Sequence, residues 1–156
     1  MTKIADLIGG DQADELARFS LSIGDIHHLP LSKEEQITAK DGKDYRNKFL
    51  IILGFDTSGN AIGGVVVNSN VNPNLPTSVT DYLMPVTPAQ FPFLSHNSFI
   101  NCSHLIVVKK EKFNRTTFRF HVEDSDLMRM IVGTLSECPL INRQLLKEFS
   151  IKLPQN

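Results

Sequence analysis

The sequence predicts an α+β fold, mainly β: a small, bent antiparallel sheet or partly open barrel with helices packed on one side. Three observations predict it. Short apolar runs rich in β-branched and aromatic residues crowd residues 22–122. Polar clusters with Gly, Asn, Asp or Pro separate them at turn spacing. Apolar residues three and four apart, the helical period, are confined to the two ends of the chain. Strands in succession followed by helices argue for a segregated α+β architecture rather than a parallel sheet. At 156 residues the chain suits one domain spanning 1–156, with a helical N-terminal extension over 1–21, the β portion over 22–122 and C-terminal helices over 123–156.

The stretch 45–70 is the hairpin around which the rest is arranged. Phe49-Leu50-Ile51-Ile52-Leu53-Gly54-Phe55 and Ala61-Ile62-Gly63-Gly64-Val65-Val66-Val67 flank Asp56-Thr57-Ser58-Gly59-Asn60, a cluster that can supply positive φ. Both runs are nearly continuous rather than alternating, which points to central strands. Gly63-Gly64 inside the second run marks a bulge or barrel corner. Arg46 opens the first strand and Asn68, Ser69 and Asn70 close the second. In an antiparallel pair those ends are neighbours, so a cation, amides and a hydroxyl meet at one rim.

Ahead of the hairpin, Ile4, Leu7, Ile8, Leu16 and Phe19 predict helix over 2–19, divided or not at Gly9-Gly10. Residues 22–29 read as a strand closed by Pro30, and 32–44 as a long polar loop. After the hairpin, 71–80 is a loop, and 82–86 is a strand whose Pro85 implies an edge or a bulge. Residues 87–95 form a connection in which Phe91, Phe93 and Leu94 are core plugs. Residues 98–108 and 116–122 are further strands around a basic turn at 109–115. Asp124 or Ser125 caps a helix carrying Leu127, Met130, Ile131 and Leu135, and Asn142 introduces a last one with Leu145, Leu146 and Phe149.

The bulk numbers exclude several classes. Net charge is −1, so any nucleic-acid site must be a local patch. The longest apolar runs have about seven residues, well below the roughly 20 of a membrane span. No secretory signal is evident at the N-terminus, which predicts a cytoplasmic protein with Cys102 and Cys138 reduced. No metal-ligand spacing is present; His27 and His28, adjacent on a strand, face opposite ways. No cofactor motif is visible. Cys102 and His104 share a strand face and form a weak candidate thiol–imidazole pair.

The order of these features resembles the PemK/MazF family of toxin endoribonucleases. Gly24-Asp25-Ile26-His27-His28-Leu29-Pro30-Leu31 is similar to its opening strand. Arg46 ahead of Phe49 to Leu53 resembles its Arg-Pro segment, and Val65-Val66-Val67-Asn68-Ser69 its second strand. Ile100-Asn101-Cys102-Ser103-His104-Leu105-Ile106-Val107-Val108-Lys109-Lys110-Glu111-Lys112-Phe113 resembles its late strand and basic turn, and 133–149 its final helical part. The family's proline after the arginine is Asn47 here, and its threonine is Asn68, with Ser69 the nearest hydroxyl.

The resemblance implies an SH3-like barrel that cleaves single-stranded RNA without a metal, a homodimer, and an antitoxin-like partner. It implies catalytic roles for Arg46, as a phosphate clamp, and Ser69, as a hydroxyl positioning the phosphate. His27, His28, His96 or His104 would move protons. Asn68 and Asn70 would read base edges, and Lys109, Lys110, Lys112 and Arg115, interleaved with Phe113, Phe118 and Phe120, would bind RNA. The competing expectation is a non-catalytic interaction module on the same barrel, using a sheet edge or the 32–44 loop.

Overall fold

The computed structural model describes residues 20–39, 42–70 and 72–152. The helix expected over 2–19 lies outside them. Seven strands form one antiparallel sheet: β1 (Asp25–Ser32), β2 (Tyr45–Phe55), β3 (Ala61–Asn68), β4 (Leu83–Val86), β5 (Ser98–Asn101), β6 (Ile106–Lys109) and β7 (Phe118–His121). Among the described residues the α-helices are α1 (Thr77–Thr80), α2 (Ser125–Glu137) and α3 (Arg143–Glu148). Strand order is β4-β5-β3-β2-β1-β7, with β6 also pairing β3. Among the described residues the terminal strands β4 and β7 do not meet, so the sheet is not closed.

The expected hairpin is β2–β3, in register from Phe49↔Val67 to Phe55↔Ile62. Its turn is held by the Asp56 carboxylate, which accepts from the backbone N–H of Asn60 at 2.9 Å and of Ala61 at 3.2 Å. Gly59 supplies the positive φ, 76°. A register shift between Ile52 and Gly54 places a bulge opposite Gly63-Gly64. There the backbones approach closely. A Cβ on Gly64 would lie 2.3 Å from the Ile51 carbonyl oxygen, and one on Gly54 would lie 2.1 Å from that of Phe149. Neither position has room for a side chain.

Two prolines sit inside strands. Pro85 is on β4, the edge that its presence predicts. Pro30 does not end β1, which runs on to Ser32. The reason is direction. The His28 N–H, two residues earlier, bonds Thr117 O across the outer side of β1 at 2.8 Å. The Pro30 nitrogen faces the same side, beyond the last β7 pair at His27↔Phe118, so no ladder bond is lost.

The strand expected over 98–108 is two strands. β5 pairs the end of β3 at Val67 and Asn68, and β6 pairs its beginning from Ala61 to Gly64. Both lie along the same edge of β3. Between them Asn101 Oδ1 accepts from Ser103 N and Oγ at 3.0 and 2.6 Å, a local turn that competes with the ladder. The short helix α1 stands where a loop was expected. Asp124 and Asn142 cap α2 and α3 as their side chains predict.

Side-chain alternation divides the core between the two faces. Ile51, Leu53, Val65 and Val67 pack beneath Leu127, Ile131 and Leu135 of α2 and Leu146 of α3. Leu50, Ile52, Ile62 and Val66 pack with Leu29, Leu31, Ile106, Val108 and Phe113 on the other face. Each such side chain contributes about 1.5–3 kcal/mol of burial. The sheet curls around that second cluster. β6 and β1 are three strands apart in the path, about 14 Å if flat. Yet Glu34, in the 3-10 turn that follows β1 (Lys33–Glu35), lies 3.2 Å from Lys109 at the end of β6.

Candidate functional site

At the open end of the β2–β3 hairpin lies a cavity of about 270 Å³. Arg46, Asn47 and Lys48 border it from β2 and Ser69 from the end of β3; Ser95 and His96 border it from the loop ahead of β5. Phe49 and Phe93, with Val67, Leu94 and Ser98, form the rest of its wall. Arg46 and Ser69, both assigned from the sequence, thus line one concave site. By strand alternation Arg46 and Lys48 belong to the Leu50 face and Asn47 to the Phe49 face, so the cavity wraps over the hairpin end.

Arg46 is half-buried and makes no hydrogen bond or ion pair with any described residue. A guanidinium without an ion-pair partner among the described residues can take an anion. Asn68 is committed instead: its Oδ1 accepts from Lys48 Nζ at 2.6 Å. Asn70 is exposed and does not line the cavity.

The basic turn is elsewhere. Lys109 pairs Ala61, at the opposite end of β3 from Asn68, about 23 Å along the strand. Its cations are also answered. Lys109 lies 3.2 Å from Glu34; Lys112 bonds the buried Glu35 carboxylate and lies 3.8 Å from Glu34. Burial raises the pKa of Glu35, but the bonds from Lys112 and from the Ser32 N–H outweigh it and hold the carboxyl below its usual range. Lys110 and Arg115 are exposed on the same remote turn. The rings expected beside these cations are structural: Phe113 is buried in the second core cluster and Phe120 packs against the first.

The histidines separate by environment. His96 alone lines the cavity, its Nδ1 3.1 Å from Asn97 O and 3.4 Å from Ser98 Oγ. His27 and His28 do face opposite ways. His28 stacks on Phe49, centroids 4.3 Å apart; burial, with Arg119 adding, pushes its pKa down. His27 is buried against the edges of Phe113 and Phe118, with its pKa pushed down to about 4. His104 bonds Gln36 Oε1 at 2.9 Å rather than Cys102. The Cys102 thiol points to Met84 Sδ at 3.6 Å, and burial pushes its pKa up to about 12. No thiol–imidazole pair forms, and both cysteines are free.

No protein-family model matches the chain, and no curated protein matches it. Among the described residues no helix is long and apolar enough to cross a membrane, and no three His, Cys, Asp or Glu side chains are grouped to hold a metal ion.

What sequence reasoning missed is that the connection over 87–95 also lines the cavity, through Phe93 and Ser95. It was expected to plug the core with three residues. Phe91 and Leu94 are buried, at 0% and 9% exposure, and Phe93 packs half-buried against the same cluster while also lining the cavity.

Proposed function

We propose that this protein binds and cleaves single-stranded RNA in the manner of the PemK/MazF toxins. On this reading it is a cytoplasmic homodimer on an SH3-like, partly open barrel, countered by an antitoxin-like partner. The observation that carries the reading is the half-buried Arg46, without a described partner, lining one cavity with Ser69 and His96. Internal transesterification needs three things of such a site. The ribose 2′-hydroxyl loses its proton as its oxygen attacks the adjacent phosphorus. The charge that grows on the phosphorane must be stabilised. The 5′-oxygen leaves with a proton, giving a 2′,3′-cyclic phosphate and a 5′-hydroxyl. Arg46 supplies the stabilising cation, Ser69 a hydrogen bond to the phosphate, and the His96 imidazole a group that takes and gives protons. The family implies that no metal is required.

The test is incubation with single-stranded RNA in the presence of a chelator, with product ends analysed. Cyclic-phosphate ends from the wild type, lost by at least tenfold in Arg46→Ala with folding unchanged, are expected, since one charged transition-state contact contributes about 2–4 kcal/mol. Wild-type activity in Arg46→Ala refutes the assignment. A second reading, a non-catalytic binding module, draws on the Lys48–Asn68 bond, which engages the residue standing where the family has its threonine. It predicts RNA or protein binding with no cleavage in the same assay.

A further inference from the structure

The cavity wall holds a feature that the cleavage chemistry does not use. Phe49 and Phe93 meet with centroids 4.6 Å apart at 50°. Each is braced from elsewhere: Phe49 by the stacked ring of His28 at 4.3 Å, and Phe93 by Phe91 at 5.5 Å and 17°. Phe91 is fully buried, and Phe120 lies 6.1 Å from Phe93. The two half-buried rings are therefore held in a cluster anchored on the buried Phe91, with the half-buried His28 and Phe120 beside them. A cavity that joins a rigid aromatic wall to a guanidinium, an ammonium and hydroxyls suits a ligand with a flat apolar body and an anionic group. At about 270 Å³ it is smaller than the roughly 300–1,000 Å³ of sites for drug-sized molecules, which suits one monomer unit.

We infer that this cavity takes a single unstacked nucleobase of the RNA against Phe93 and Phe49, with the attached phosphate at Arg46. The inference rests on the RNA reading above and makes the substrate locally single-stranded, because only an unstacked base presents its face. It also makes Phe93 a residue that sets affinity for the base. Stacking tolerates every base, so choice among bases falls to the hydrogen-bonding groups at the rim, Ser95 and Asn47.

The test uses a set of short single-stranded RNAs made uncleavable by 2′-O-methylation, each carrying the fluorescent base 2-aminopurine at a different position. One position is expected to be quenched on binding. An abasic ribose at that position should weaken binding to the wild type by about 5- to 100-fold, the range of one base–aromatic stack. Phe93→Leu should abolish the quench and weaken the intact RNA equally, yet bind the abasic RNA as the wild type does; Phe93→Trp should restore both. RNA that binds with no position quenched, or binds equally well when abasic, overturns the subsite and leaves the RNA reading standing. The abasic comparison needs only wild-type protein, so it decides even if Phe93→Leu fails to fold. If no RNA binds, both are overturned.

Discussion

Lowering the pH from 7 to 5 should cost this fold about 2 kcal/mol through His27 alone. The ring is fully buried, 5.1 Å from Phe113 and 5.6 Å from Phe118 between centroids, with Nδ1 2.7 Å from Thr117 Oγ1. Burial lowers its pKa from 6.5 to about 4; the Asp25 carboxylate opposes the shift and Arg119 adds to it. Between those two values the unfolded chain binds a proton that the folded chain refuses. Stability therefore rises with pH across the window and is lost as pH falls. The whole shift corresponds to about 3 kcal/mol, complete below pH 4, of which about 2 kcal/mol is lost by pH 5. Urea unfolding of the wild type and His27→Gln at pH 7, 6 and 5 measures it. The variant starts lower, having lost ring packing, but its decline should be shallower by about 2 kcal/mol, near 1 M in midpoint for a typical slope. His28 and His104, also lowered by burial, remain in both proteins and cancel. Equal pH dependence in the two proteins, or a His27 ring titrating near 6.5 by NMR, would refute the argument.

Lys112→Ala should destabilise by about 2–3 kcal/mol by orphaning the buried Glu35 carboxylate, whereas Lys110→Ala, on an exposed site, should cost under 0.5 kcal/mol, both read by denaturant unfolding. Neither should change the salt dependence of RNA binding, since the basic turn lies remote from the cavity; a flattened slope would return that turn to the interface. Gly64→Ala should cost at least about 2 kcal/mol, because its Cβ meets the Ile51 carbonyl oxygen on the paired strand at 2.3 Å; a variant as stable as wild type would mean that the hairpin relaxes freely there. Both thiols should resist a chromogenic disulfide reagent until the chain unfolds, as Cys102 and Cys138 are fully buried; fast reaction of the native protein would contradict that packing.

What was legible in the sequence was local. The β2–β3 hairpin announced itself because its two apolar runs flank a turn whose Asp56 and Gly59 act within six residues. The caps of α2 and α3 were legible for the same reason, since Asp124 and Asn142 bond backbone groups two or three residues on. Pro30 misled because a proline's effect depends on which side its missing N–H would face, and that side is set by a partner some 90 residues away. The break between β5 and β6 escaped because Asn101 and Ser103 form their turn inside an apolar run that otherwise reads as continuous strand.

The candidate site was half legible, and the division follows the same physics. Arg46 and Ser69 come together because antiparallel pairing makes the start of one strand the neighbour of the end of the next, which the sequence states outright. The cluster Lys109, Lys110 and Lys112 states only that charge is present. Whether that charge is free depends on Glu35, 77 residues earlier, whose carboxylate the curl of the sheet brings against Lys112. A loop with aromatic residues at 91 and 93 and a leucine at 94 looks like three core plugs on composition. All three do pack on the first core cluster, Phe91 and Leu94 buried and Phe93 half-buried, with Phe93 also lining the cavity. That exposure comes with no relief in rigidity, since Phe91 and Phe49 still fix the ring. Phe93 therefore presents partly exposed apolar surface whose position is fixed by its neighbours, which is what the stacking surface proposed above requires.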